Sequence, residues 1–242
     1  ETEPPVAFFA YPGRPSLLLL EGCEVHKLCG TDGDGPGAVA ALAELMDAKP
    51  IVPQAELPAA PQAGPIRADT IAAAIAHALP AHAIVVDESL TGGRDIWNAT
   101  LGAAPHSWIS LTGGAIGDGI PLALGAAVAC RDRPVLSLQA DGAAMYTIQG
   151  LWSQSREEVN VTTVIFANRT YEILKKEFFA VGANPGRSAL DMLDLDRPNL
   201  DFVALAAGMG VPGQRIDCAA DLQRAISAAM DEPGPYLIEA MM

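Results

Sequence analysis

Two apolar segments constrain this chain more than anything else in it. Residues 135–138 and 161–167 are each long enough for a strand, carry no charge, and lack the in-and-out alternation of a half-exposed strand. Strands of that kind are buried on both faces, which requires a sheet covered on both sides. The chain between them is long enough for one helix, and a strand–helix–strand unit returns the second strand parallel to the first. The same rhythm extends over the rest of the chain from Ile66. A helix is expected at 70–79, capped by Asp69, with Ile71, Ile75 and Leu79 on one face. Strands follow at 83–87 and 107–111, an Ala- and Leu-rich helix at 119–130, a strand at 135–139 and a helix at 144–159. After the strand at 161–167 come helices at 201–209 and 219–230, with Asp221 in the first turn of the second, and a closing strand at 236–240. The expected fold class is α/β, a parallel β-sheet with helices on both faces.

The first part of the chain does not share this rhythm. Residues 5–11 and 22–28 read as short strands, and 36–48 as a helix with Val39, Leu42, Leu45 and Met46 at helical spacing. Two short strands and one helix do not close a core of their own. Residues 50–65 contain five prolines and no usable period, which predicts an extended linker. The expected organisation is a domain remnant at 1–49, a Pro-rich linker at 50–65 and the main domain at 66–242.

Bulk properties exclude several functions. A formal charge of −14 argues against a nucleic-acid surface and fits a small-molecule ligand. No apolar run approaches the roughly 20 residues that span a bilayer. Four irregularly spaced cysteines (Cys23, Cys29, Cys130, Cys218) form no disulfide framework, and a reducing cytoplasm is the expected setting.

Asp141 and Asn168 each stand at the end of one of the apolar segments, 27 residues apart. In a parallel sheet both would reach the carboxyl edge, where open α/β folds bind ligands. Two hard oxygen donors beside a glycine turn and a helix start suit Mg²⁺ carrying a diphosphate. Taken singly, Asp141 reads as a helix cap and Asn168 as a turn residue. The segment Glu88-Ser89-Leu90-Thr91-Gly92-Gly93 follows another strand, and it is either a phosphate loop or a plain Gly-rich loop with a solvated Glu88. Residues 111–119 contain four glycines, which let backbone approach a flat ring closely. Ile173, Leu174, Phe178 and Phe179 read equally as pocket lining or as helix core. Cys23, His26 and Cys29 lack a fourth ligand for structural zinc, and residues 32–35 lack the ligand run of a calcium loop.

From Asp87 to Met242 the chain resembles the diphosphate-binding domain of thiamine-diphosphate (ThDP) dependent 2-oxo-acid enzymes. The nearest likeness is to acetolactate synthase large subunits and benzoylformate decarboxylases. The family motif is Gly-Asp-Gly, a similar interval, then Asn-Asn or a relative of it. Here Ala140 replaces the first Gly and Ala167 the first Asn, and neither is the metal ligand. Residues 1–50 resemble the end of the same family's Rossmann-like middle domain, through Phe8-Phe9-Ala10-Tyr11-Pro12-Gly13 and Gly22-Cys23-Glu24-Val25-His26.

The resemblance implies a role for each matching residue. Asp141 and Asn168 give side-chain oxygens, and Thr170 its backbone carbonyl, to Mg²⁺. Gly142, Ala143 and Ala144 form the turn and helix start that meet the diphosphate, and Leu90 (backbone) and Thr91 meet the terminal phosphate. The Gly114 carbonyl accepts from the 4′-amino group of the aminopyrimidine, the Ile116 N–H donates to a ring nitrogen, and the Ile116 side chain wedges the cofactor into its bent form. Tyr171 begins the stretch that lies over the cofactor. Asp118 departs from the aromatic or aliphatic residue usual at its position.

The resemblance also implies partners. The glutamate that activates the cofactor belongs to a separate pyrimidine-binding domain, usually of a partner subunit in a dimer or tetramer. This chain would then hold about half of each active site, be inactive without the other half, and be a fragment cut within the middle domain. Its substrate would be a 2-oxo acid, and no flavin fingerprint is visible. An acetolactate-synthase-like lyase or transferase is expected first. A benzoylformate- or phenylpyruvate-type decarboxylase or a 2-hydroxyacyl-CoA lyase is the alternative. The two motif departures leave open a non-catalytic diphosphate-binding module.

Overall fold

The structure, a computed structural model, describes residues 5–7, 10–51 and 55–242. Phe8, Phe9 and Pro53 lie outside the described residues. The chain divides into two compact units, Glu1–Pro53 with Glu177–Asn184, and Gln54–Lys176 with Pro185–Met242.

In the first unit, α1 (Gly35–Leu45) is capped by Asp34, whose carboxylate accepts the Gly37 N–H at 2.9 Å. None of its residues is buried, and Val39, Leu45 and Met46 are exposed. Among the described residues, neither strand expected here forms: those of 5–11 contribute a bridge from Val6 to Leu17, and 22–28 are irregular and mostly exposed.

The second unit carries the fold. Its elements are α2 (Ala68–Ala78), β1 (Ile84–Glu88), α3 (Ile96–Thr100), β2 (Ser107–Ser110), α4 (Gly119–Ala129), β3 (Val135–Ala140), α5 (Asp141–Ala144), α6 (Gly150–Arg156), β4 (Val161–Ala167), α7 (Glu172–Ala180, which crosses into the first unit), α8 (Arg187–Asp191), α9 (Phe202–Gly208), β5 (Gly213–Ile216), α10 (Ala219–Asp231) and β6 (Tyr236–Met241). The six strands form one all-parallel sheet in the order β2-β1-β3-β4-β6-β5. All seven residues of β4 are buried, as expected of a strand without alternation.

Each face of the sheet has its own core. On one side Val85, Leu136, Leu138, Val164, Phe166 and Ile238 meet Ile71 and Ile75 of α2 and Leu222 and Ile226 of α10. On the other, Ile84, Val86, Val135 and Val161 meet Ala123 and Ala127 of α4, while Ile165 and Leu237 meet α6 and α9. Alanine and glycine along α4 allow it to lie close to the strands. From β1 the chain runs outward to β2 and then crosses back to β3 on the other side of β1, so the topological switch falls between β1 and β3.

Several elements differ from expectation. The helix expected at 144–159 is broken into α5 and α6, so Ala143 and Ala144 end a one-turn helix rather than open a long one. Tertiary contacts cause the break. Thr147 Oγ1 donates to the Gly117 carbonyl at 2.6 Å, and a Cβ on Gly150 would meet Ile120 Cγ2 at 2.7 Å. Asp69 does not cap α2. It lies in the first turn and pairs with Arg67, whose own N–H donates to Thr70 Oγ1 at 2.9 Å. Edge strand β5 escapes sequence reading because Gly-Gln-Arg-Ile carries no periodic signal, and only pairing with β6 makes it a strand.

Candidate functional site

The carboxyl ends of β1, β3 and β4 are neighbours, and Glu88, Asp141 and Asn168 stand there. Asp141 is buried, with 3% exposure. Its Oδ1 accepts the Gly142 N–H at 2.8 Å, and its Oδ2 accepts the Arg169 N–H at 2.6 Å. The Asp141 carboxylate therefore bonds to the backbone next to Asn168. Among the described residues no basic side chain pairs with it. Burial pushes its carboxyl above the ordinary range, against the lowering effect of the N–H bonds. A buried carboxylate without a cation is costly, and a metal ion would relieve that cost.

Asn168 Oδ1 accepts the Thr170 N–H at 3.0 Å, so the turn reading of Asn168 holds in this structure. The loop is clamped from behind by residues 193–195. Tyr171 N–H donates to the Leu193 carbonyl at 2.8 Å, Leu195 N–H to the Arg169 carbonyl at 2.7 Å, and Thr170 Oγ1 to the Leu193 carbonyl at 2.9 Å. Lys175 Nζ holds Asp194 at 2.6 Å and keeps its carboxyl below the usual range. In the Thr170–Asp194 bridge the flanking residues make the bonds, so the N–H and C=O of Thr170 leave on the opposite side, that of Asn168. The Thr170 carbonyl accepts no hydrogen bond among the described residues.

Two non-glycine residues here adopt left-handed backbone, Arg169 at φ 59° and Leu90 at φ 50°. Such conformations cost energy and cluster at functional sites. The ring of Tyr171 lies against the turn after β3, where a Cβ on Gly142 would meet its Cε1 at 2.5 Å. Leu90 and Thr91 are half-buried in the turn after β1, whose Ser89 hydroxyl donates to Asp87 Oδ1 at 2.5 Å.

The glycine loop joins β2 to α4. Gly113, Gly114 and Gly117 have φ of 60°, 69° and 97°, conformations that only glycine adopts freely. The Ile116 side chain is 40% exposed on this loop. Its N–H donates to the Gly114 carbonyl at 2.9 Å, so the two backbone groups expected to meet a pyrimidine ring bond to each other. Asp118 occupies the cap position of α4 without a side-chain cap bond.

The solvated reading of Glu88 is overturned. Its side chain is buried, with Oε1 accepting the Gly117 N–H at 2.5 Å and Oε2 the Gly119 N–H at 2.8 Å. Its place at the end of an apolar strand was the available signal. The clamp by residues 193–195 had none, because it is a long-range bridge. The helix-core reading of Ile173, Leu174, Phe178 and Phe179 also fails, since α7 buries no residue. Among the described residues no three His, Cys, Asp or Glu are grouped to hold a metal. The Asp141, Asn168 and Thr170 set is of another kind, with one carboxylate, one amide and one carbonyl. A cavity of about 530 Å³ beside His82, His106 and Arg133 lies at the amino ends of the strands, where the Arg133 guanidinium is already bonded to the His82 and Ala83 carbonyls.

A family profile described as thiamine pyrophosphate enzyme, C-terminal TPP binding domain, matches residues 91–240. The chain belongs to the thiamine pyrophosphate enzymes. It is 51% identical, over 98% of its length, to a Mycobacterium tuberculosis protein designated as an acetolactate synthase large subunit, IlvX, and covers 47% of that protein. It is 33% identical over 74% of its length to benzoylformate decarboxylase of Pseudomonas aeruginosa, and covers 33% of it. Among solved structures, the ThDP-dependent 4-hydroxybenzoylformate decarboxylase of Rhodococcus jostii RHA1 superposes with a TM-score of 0.71 at 29% identity, covering 85% of this chain and 39% of that one. The chain thus spans less than half the length of these relatives. The carboxyl ends of four adjacent strands, β2, β1, β3 and β4, lie side by side in this TPP-binding domain. Among the described residues no helix is long and apolar enough to cross a membrane.

Proposed function

We propose that this chain is the cofactor-anchoring domain of a ThDP- and Mg²⁺-dependent 2-oxo-acid carboligase or decarboxylase, most simply an acetolactate-synthase-like one. The reading rests on the buried Asp141 carboxylate, which pairs with no basic side chain among the described residues and bonds to the loop that carries Asn168 and Thr170. Asp141 and Asn168 offer side-chain oxygens and Thr170 its unbonded carbonyl, a hard-donor set suited to Mg²⁺. Gly142, Ala143 and Ala144 are small and buried, which brings their backbone within reach of a diphosphate. Leu90 and Thr91 close the other side of that diphosphate, and Tyr171 covers the turn.

When bound, thiamine diphosphate supplies a carbon nucleophile for a 2-oxo acid and a sink for the electron pair left as CO₂ departs. The contribution of this chain is positional. Ile116 would hold the cofactor in place, and the Gly114 carbonyl and Ile116 N–H, now bonded to each other, would serve as acceptor and donor for its pyrimidine ring. The family likeness implies that a pyrimidine-binding domain of a partner subunit completes the site. The functional unit is then a homo-oligomer, and the four unpaired cysteines fit a cytoplasmic setting.

Titration calorimetry with ThDP and Mg²⁺ tests the anchoring. Asp141→Ala is expected to weaken binding at least tenfold, and unchanged binding would remove the metal role. Decarboxylation assays on pyruvate and on benzoylformate, run on the full-length protein, separate the acetolactate-synthase reading from its alternative. The alternative is favoured by the superposition on the 4-hydroxybenzoylformate enzyme. Tight binding without turnover of any 2-oxo acid, with the partner domain present, would leave a non-catalytic diphosphate-binding module.

A further inference from the structure

The upstream end of the glycine loop is held by the Leu111 N–H, which donates to the Asp87 carbonyl at 3.2 Å, and its downstream end is held by side chains. From Gly113 to Ile116 it arches outward, with open space around Gly113 and with Ile116 exposed. From Gly117 to Gly119 it is gripped on two sides. Thr147 Oγ1 donates to the Gly117 carbonyl at 2.6 Å, and a Cβ on Gly117 would meet Tyr146 Cβ at 2.6 Å. On the other side, both oxygens of the Glu88 carboxylate accept N–H groups, from Gly117 at 2.5 Å and Gly119 at 2.8 Å. A Cβ on Gly119 would run into Glu88 Cβ at 2.9 Å, so the backbone can approach the carboxylate only because it is glycine. Glu88 is 1% exposed, and a carboxylate is the one side chain that can accept from two separate N–H donors with two oxygens.

From this geometry we infer that Glu88 is a positioning residue for the cofactor's ring rather than for its diphosphate. Its carboxylate fixes the downstream foot of the arch that presents the Gly114 carbonyl and Ile116. The arch must open its own Gly114–Ile116 bond to receive a ring, and it can do so only if the foot stays in place. Asp141, Asn168 and Thr170 stand on other elements and make no hydrogen bond to Glu88 among the described residues, so the metal-binding end of the site does not depend on its carboxylate. The assignment rests on the cofactor reading above.

The test compares the full-length wild-type protein with Glu88→Gln, which keeps shape and one acceptor, and with Glu88→Ala. Each is titrated with ThDP and Mg²⁺ and, separately, with inorganic pyrophosphate and Mg²⁺, and amide exchange is followed at Gly117 and Gly119. Glu88→Gln is expected to weaken ThDP binding about tenfold or more, because charge-assisted bonds are the stronger kind. Pyrophosphate binding should stay within about twofold of wild type. Exchange at Gly117 and Gly119 should quicken before any ligand is added. A parallel loss of both ligands would mean general damage and overturn the assignment, as would ThDP binding equal to wild type. If Glu88→Ala does not fold, the Gln variant alone decides. Wild-type protein that binds neither ligand would overturn the cofactor reading and this assignment together. Binding that survives Asp141→Ala would overturn only the metal reading.

Discussion

The Asp141 carboxylate reaches from the end of β3 to the backbone N–H of Arg169 beyond β4, at 2.6 Å. That one bond joins two strand ends separated by a whole crossover. It also aims a buried negative charge at the loop holding Asn168 and Thr170, with burial as the main cost. A ligand that brings a cation relieves that cost, and so must stabilise the fold.

Saturating ThDP with Mg²⁺ should therefore raise the melting temperature of the wild-type protein. At a hundredfold excess over Kd the linkage is about 2.7 kcal/mol, or roughly 5 to 10 °C for a domain of this size. Asp141→Ala should lose most of that shift. Differential scanning calorimetry with and without Mg²⁺ measures both.

Glu88 makes stability depend on pH in a defined direction. Burial raises its carboxyl above the ordinary 4.5, outweighing the two N–H bonds. A carboxyl raised by folding is protonated more readily in the native state, so the native protein binds more protons than the unfolded chain. Its contribution to stability is greatest below about pH 4.5 and is lost as pH rises through the higher native value. Relative to Glu88→Gln, the wild type should lose stability between mildly acidic and neutral pH. Urea unfolding at a series of pH values tests this, and parallel curves for the two proteins would contradict it. If the curves diverge as expected, a charge that lowers stability is retained because it holds the arch.

Gly142→Ala should destabilise the protein by about 1–3 kcal/mol, because its Cβ meets Tyr171 Cε1 at 2.5 Å in a tightly packed turn. Tyr171→Ala in the same protein should recover part of the loss. A double-mutant cycle by denaturant unfolding reads the coupling, and strict additivity would mean the two residues do not touch.

Ile116→Ala should leave stability within about 0.5 kcal/mol, since the side chain is already 40% exposed. In the full-length protein its effect should fall on turnover instead. Thermal unfolding beside a steady-state assay separates the two. A large fall in melting temperature would assign Ile116 to packing.

The alternation of buried strands with helices was legible in residues 66–242 because a strand apolar on both faces has few places to go. β4 was found to the residue, and α10 to within one. Asp141 and Asn168 stood out because a strand that ends in a polar residue at a sheet's carboxyl edge places that residue where ligands bind. Other features depended on contacts distant in sequence. Pairing with β6 alone made β5 a strand, and the Thr147–Gly117 bond split the helix expected at 144–159. The bridge from residues 193–195 oriented the Thr170 carbonyl, and burial turned Glu88 from a surface charge into the anchor of the glycine loop. Local pattern reports which face of a segment avoids water, and that was enough to determine the α/β class and the sheet edge that carries the site. Which donor meets which acceptor across that edge is decided only when the strands assemble, because those bonds join residues with no relation along the chain.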